Sequence, residues 1–256
     1  MKVLLTGASG GIGEHFATAF ARRGYDLVLV GRNERKLEEI SCRIREKFAV
    51  ACTVYVCDLS RKEQIAGLIE SHPETDVLVN NAAVSSYGPC DQLPWEDIER
   101  MIEVNVLAPV RLLHHYVRGM IQRRGGKILN VSSTAGLHAV PFMAVYAATK
   151  SFLCSISEAV AGEVGDRAIT VACILPGPTA TDFWYRQGRF LTSHLRMDKY
   201  ASPADVAETG VKLLEQGRIW GIVGVLNRIK VAIKSSLPQR LRLALLKEHN
   251  KKYVAQ

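Results

Sequence analysis

The sequence predicts an α/β fold: one domain with a doubly wound, seven-stranded parallel sheet flanked by helices. Three observations carry that reading. Short β-branched runs alternate with longer stretches of helical period, the pattern of strands covered on both faces by crossover helices. The first such run is followed at once by a glycine-rich loop. The chain has 256 residues, 48% apolar and 23% charged, which fits one α/β core and excludes wholesale disorder.

The elements come in order along the chain. Strands are expected at residues 2–6, 26–30, 50–56, 77–79, 127–131, 169–174 and 221–225, each a short run dominated by Val, Ile or Leu. Helices are expected between them at 12–23, 34–48, 62–71, 95–122, 145–164 and 203–216. Ser202 serves as N-cap of the last, with Pro203 at its first position, where a missing N–H is harmless. No repeat or low-complexity linker interrupts residues 1–225, which form the expected catalytic domain, followed by an extension at 226–256.

Six cysteines occur without a C-x-x-C pair, and the seven histidines show no metal-ligand spacing with them, so no metal is expected and a reduced, cytoplasmic setting is. The apolar run at Leu4 stops too soon for a signal peptide, and no stretch approaches the roughly 18 apolar residues of a membrane span. The net charge of +8 is unevenly placed. Residues 1–225 hold 25 basic and 24 acidic side chains, whereas 226–256 hold eight basic and Glu248 alone. A nucleic-acid binder would spread its charge over a folded face, so nucleic acid is not the expected partner.

In open parallel sheets ligands bind beyond the carboxyl ends of the strands, so the loops there carry the functional signal. The first reads Gly7-Ala8-Ser9-Gly10-Gly11-Ile12-Gly13. Glycines admit a phosphate close to the backbone, and the amides opening the next helix favour an anion, which makes a pyrophosphate site. The second strand ends at Arg32, where an NAD site carries an acid for the ribose 2′-hydroxyl. A guanidinium there suits the 2′-phosphate of NADP, and Arg35 and Lys36 lie close in sequence. Asp58, followed by Leu59, either accepts from an adenine amino group or caps the helix near Lys62; both readings stand.

Ser133 follows the fifth strand, with Tyr146 thirteen residues beyond it and Lys150 four further on. Four residues is one helical turn, so Tyr146 and Lys150 share a face. A neighbouring ammonium stabilises phenolate, and Ser133 offers a hydroxyl to the same carbonyl oxygen.

Taken together, Thr6-Gly7 through Gly13, Asp58, Asn80-Asn81-Ala82, Asn105, Ser133, Tyr146, Lys150 and Pro176-Gly177 resemble the short-chain dehydrogenase/reductase family in order and spacing over residues 1–225. The resemblance implies a single-domain Rossmann fold and a catalytic tetrad of Asn105, Ser133, Tyr146 and Lys150. In it Tyr146 exchanges the proton, Ser133 holds the carbonyl oxygen, and Lys150 lowers the tyrosine pKa and binds nicotinamide ribose. Asn105 would hold a water through a local helix distortion. The cofactor site it implies comprises Gly7, Ser9, Gly10, Gly11, Ile12, Gly13, Arg32, Asp58, Leu59, Asn81, Ala82, Tyr146, Lys150, Pro176, Gly177, Thr179 and Thr181. NADP(H) is expected to be preferred over NAD(H), and the resemblance implies a homodimer or homotetramer. One departure is Ala83 where the family has glycine, which matters only if that residue needs a positive φ.

Residues 137–143 and the aromatics Phe183, Trp184 and Tyr185, continuing to Phe190-Leu191, suit a small hydrophobic carbonyl or alcohol substrate under an apolar cover. Arg186, Arg189 and Arg196 either meet an anionic substrate group or face water. The extension mixes leucines with cations as a basic amphipathic helix does, giving either weak peripheral membrane contact or packing on the body. An NADP-dependent carbonyl/alcohol oxidoreductase is therefore expected, against a cofactor-sensing or membrane-peripheral binding protein on the same scaffold.

Overall fold

The computed structural model describes residues 1–183 and 200–254. Its sheet contains β1 (Lys2–Thr6), β2 (Asp26–Gly31), β3 (Cys52–Val56), β4 (Val77–Asn80), β5 (Gly126–Val131), β6 (Ile169–Leu175) and β7 (Trp220–Ile222). All neighbours are parallel in the order β3-β2-β1-β4-β5-β6-β7. The order reverses between β1 and β4, which opens a crevice at their carboxyl ends.

Period-2 alternation divides the strand side chains between two faces. Leu5, Leu29, Val79, Leu129 and Ile174 pack with Phe16 and Phe20 of α1 (Gly11–Ala21), Leu37 and Ile40 of α2 (Glu34–Lys47), and Val206 and Val211 of α7 (Pro203–Glu215). Leu4, Val28, Leu78 and Ile128 point the other way. They meet Ile65 and Leu68 of α3 (Lys62–Ser71), Leu112 and Tyr116 of α5 (Ala108–Arg123), and Ala161 of α6 (Ala144–Val164). Ser202 caps α7 as expected, accepting from the Asp205 amide at 3.0 Å.

Three elements differ from expectation. The single helix expected over 95–122 is α4 (Trp95–Ile102), a π-helical turn (Glu103–Leu107) and α5. A π turn inserts one residue into the helical ladder and rotates the next turns about the axis, and Pro109, lacking an N–H, sits where α5 restarts. β3 begins at Cys52, not at residue 50. β7 ends at Ile222 because Gly224, at φ 81°, turns the chain into α8 (Val225–Ser236), so a division at residue 226 falls inside a helix. A second helix, α9 (Gln239–Lys251), comes after Pro238. No helix among the described residues is long and apolar enough to cross a membrane.

A buried polar chain ties the centre of the sheet to α6. Asn80 Nδ2 donates to Asn130 Oδ1 at 2.9 Å, and Asn130 Nδ2 donates to Ser157 Oγ at 2.8 Å. All three residues are buried. An unmade hydrogen bond in such surroundings costs the desolvation of the orphaned group, so Asn130→Ala is expected to lower stability by about 1–3 kcal/mol in urea unfolding.

Candidate functional site

A cavity of about 1100 Å³ opens at the carboxyl ends of the strands, and every residue expected to bind cofactor lines it: Gly7, Ser9 to Gly13, Arg32, Asp58, Leu59, Asn81, Ala82, Tyr146, Lys150, Pro176, Gly177, Thr179 and Thr181. Ser133 lines it too.

The loop after β1 is compact because glycine allows it. Gly7 adopts φ 65°, and a Cβ on Gly13 would lie 2.2 Å from the Gly7 carbonyl oxygen. The turn lays the amino end of α1 against the cavity with no side chain capping its amides. Asn81 clamps this loop to the end of β4, its Nδ2 donating to the carbonyls of Thr6 at 2.9 Å and Gly7 at 3.1 Å. Thr6 Oγ1 answers by accepting from the Asn81 and Ala82 amides. Ala83 is not among the residues with positive φ, so its methyl is accommodated.

Arg32 is half-exposed, with Nη1 4.0 Å from Asp58 Oδ2. Asp58 Oδ1 accepts from the backbone and hydroxyl of Ser60, whereas the N-cap of α3 is Arg61, so Asp58 does not cap that helix.

The catalytic candidates meet where α6 crosses the end of β5. Ser133 Oγ accepts from the Ala135 amide at 3.1 Å, donates to the Pro176 carbonyl at 3.4 Å, and lies close enough to the Tyr146 phenol to favour its ionised form. Lys150 is buried, with Nζ donating to the Val131 carbonyl at 2.8 Å and lying 5.8 Å from the centre of the Tyr146 ring. Two contacts hold α6 in place: Ser132 Oγ donates to the Lys150 carbonyl at 2.7 Å, and Gly136 packs so tightly that a Cβ there would lie 2.7 Å from the Lys150 carbonyl carbon.

Burial pushes the Tyr146 phenol up to about 12, opposed by the nearby Ser133 hydroxyl. The Lys150 ammonium is turned to the Val131 carbonyl, and burial pushes the lysine down to about 8.

Asn105 stands apart from the cavity lining. It is fully buried in the π turn, where Oδ1 accepts from the Val84 amide at 2.9 Å and Nδ2 donates to the Val84 carbonyl and to Thr149 Oγ1. The helix distortion expected around it is present, and its contacts brace the loop after β4 against α6.

His138, Val140 and Met143 line the far end of the cavity with Tyr87, Met101 and Phe183, whose ring centre is 6.1 Å from that of Tyr146. Trp184, Tyr185, Arg186, Arg189, Phe190, Leu191 and Arg196 lie outside the described residues. Sequence reasoning missed the last wall. Leu246 and Asn250 of α9 are buried, Tyr87 Oη donates to the Asn250 carbonyl at 2.9 Å, and Asn250 Nδ2 donates to the Pro141 carbonyl. Leu246, Asn250 and Tyr253 recur at one helical face, the signal that would have found it.

Lys150 offers a test of its burial. Its folded pKa of about 8 lies below the ordinary 10.5, so the folded state binds protons more weakly than the unfolded state. Charging Lys150 therefore costs stability in full below pH 8, and that cost is relieved as pH rises from about 8 to 10.5. Lys150→Met is expected to raise the thermal midpoint at pH 7, with the gain shrinking towards pH 10.5; a pH series of melting curves checks it.

Comparison with known proteins gives the family. The short chain dehydrogenase family model matches residues 1–190. The 3-oxoacyl-[acyl-carrier-protein] reductase FabG of Rickettsia felis is 32% identical over 208 residues, covering 80% of this chain and 85% of the relative. The 7beta-hydroxysteroid dehydrogenase of Clostridium sardiniense is 29% identical over 245 residues, covering 95% and 93%. Among solved structures, a short-chain dehydrogenase from Sphingobium yanoikuyae in complex with NADPH superposes with TM-score 0.83 at 29% identity, over 93% of this chain and 96% of that one. On the match over residues 1–190 and on this fold, the chain belongs to the short-chain dehydrogenase family and is an oxidoreductase acting on CH–OH groups.

Proposed function

We propose that the protein is an NADP-dependent oxidoreductase that interconverts a small hydrophobic carbonyl compound and its alcohol, with Tyr146 as general acid/base. The observation that carries this reading is the meeting of Ser133, Tyr146 and Lys150 in one cavity between a glycine-rich cradle and an apolar end.

The cradle fits a dinucleotide: its glycines leave the loop backbone bare where it lines the cavity, and the open amino end of α1 supplies donors for a pyrophosphate. Gly7 to Gly13, Pro176, Gly177, Thr179 and Thr181 would hold the dinucleotide, with Asp58, Leu59, Asn81 and Ala82 on the adenosine side and Lys150 at the nicotinamide ribose. Arg32, half-exposed and bound only loosely to Asp58, would take the 2′-phosphate. The nicotinamide supplies or takes the hydride.

The remaining chemistry belongs to side chains. A phenol held neutral up to about 12 is a competent donor at neutral pH, so Tyr146 Oη gives its proton to the carbonyl oxygen as the alcohol forms. Ser133 Oγ donates a hydrogen bond to that oxygen where negative charge builds. Asn105 is a positioning residue here, fixing the loop at Val84 against α6.

A cofactor sensor without catalysis would have no use for the assembled trio of Ser133, Tyr146 and Lys150. Six unpaired cysteines agree with work in the cytoplasm. NADPH oxidation followed against ketones and aldehydes is expected to show turnover, weaker with NADH; loss of any NADPH preference over NADH would remove Arg32 from its role. Tyr146→Phe should cut the rate by at least about 10²-fold while NADPH still binds, and turnover near the parent rate would overturn the mechanism. Arg32→Asp is expected to reverse the cofactor preference.

A further inference from the structure

The two C-terminal helices bring an unusual amount of positive charge to a cavity with an apolar end. Lys230 and Lys234 of α8, Arg242 and His249 of α9, and Lys252 just beyond it all line the cavity, and His138 joins them from the loop after β5. None of the lysines and arginines among them has an ion-pair partner among the described residues.

The carboxylates that line the same cavity are engaged or elsewhere. Asp58 lies by Arg32 on the glycine-loop side, Asp97 accepts from Ser86 Oγ at 3.0 Å, and Asp182 sits beside Phe183. Arg242 Nε and His138 Nδ1 are buried without a hydrogen-bond partner. The cations instead act on one another. Burial lowers Lys234, with Lys230 adding to it; burial lowers His138, with Lys234 and Arg242 adding; burial lowers His249, with Lys252, Lys234 and Lys230 adding.

Like charges gathered along one wall, Lys234 and Arg242 half-buried and Lys230, His249 and Lys252 exposed, with donors left over, are unfavourable unless an anion completes them. Val231, Ile233, Leu245 and Leu246 alternate with them along the same wall, so the complement is an amphiphile. We propose that α8 and α9 form an anion subsite centred on Lys234 and Arg242 that binds the carboxylate or phosphate group of an otherwise apolar carbonyl substrate. This rests on the reductase reading of the cavity, and it narrows the substrate class from hydrophobic carbonyl compounds to those bearing an anionic group.

The test separates the two readings because binding needs no turnover. A saturated medium-chain carboxylate, the alkyl phosphate and the alcohol of equal chain length are titrated into the protein by calorimetry, in the presence of NADPH and at low salt. At least one anion is expected to bind about tenfold or more tighter than the alcohol, as a charge-assisted hydrogen bond implies, and the stronger of the two identifies the group. Lys234→Gln and Arg242→Gln should each remove most of that preference, Lys234→Arg should restore it, and Lys247→Gln, an exposed cation on α9 outside the cavity, should not affect it. In turnover, a medium-chain oxo acid should exceed its methyl ester in kcat/KM, through KM. Equal affinity for both anions and the alcohol overturns the subsite. So does an equal loss in Lys247→Gln and Lys234→Gln, which would mark a diffuse field. Anion binding without turnover of any carbonyl compound would overturn the reductase reading and leave the subsite standing.

Discussion

The architecture turns on how closely α6 approaches the end of β5. A sheet presents its carboxyl ends as a row of loops, but chemistry needs side chains fixed to within a fraction of an ångström. Here the approach is set by an absence, the missing Cβ of Gly136 against the Lys150 carbonyl, and by the hydrogen bond from Ser132 Oγ to that carbonyl. With α6 held there, Tyr146 reaches Ser133, and Lys150 is carried into a site with little water. Burial then decides both pKa values in opposite directions, because it disfavours whichever form is charged.

The second constraint is polar. Asn80 and Asn130 are buried where strands of this kind carry apolar side chains, Ser157 meets them from α6, and each bond between them joins elements distant in sequence. Asn105 does the same for the loop after β4, using both ends of its amide on Val84 and reaching Thr149 on α6. These bonds determine where the loops stand relative to α6. The π turn is what lets Asn105 face inward from a helix whose other residues keep ordinary spacing.

The cavity is asymmetric. Its glycine-loop end is built from backbone amides and the single cation Arg32, its far end from aromatic and aliphatic side chains, and its last wall from cations of α8 and α9. The excess charge of the protein is thus concentrated on a segment that forms part of the cavity. A net charge of +8 read over the whole chain suggests a polyanionic partner; read from its position, it rests on a segment of which Lys230, Lys234, Arg242 and Lys252 line the cavity.

Much of this was legible in the sequence for physical reasons. Hydrophobic period separates strands from crossover helices, so the sheet and all seven of its strands were predictable to within a few residues. The glycine loop, Arg32, Ser133, Tyr146 and Lys150 were legible because strand ends and helical turns fix their spacing before any tertiary contact forms. Other features depended on meetings across the chain. Helical period over 95–122 carries no mark of a π turn, since one inserted residue barely alters a pattern while it redirects Asn105. Nor does spacing tell whether a lysine on the same helical face turns its ammonium to a phenol or to a carbonyl; the packing of α6 on β5 chose Val131. The leucines and cations of residues 226–256 fitted a free amphipathic helix and a packed one equally well. The sequence by itself determined the sheet, the glycine cradle and the spacing of Ser133, Tyr146 and Lys150, because these arise from local period and spacing. Only the tertiary structure decided which charges are buried and that the basic segment closes the cavity, because desolvation and contact between distant residues exist only once the chain has folded.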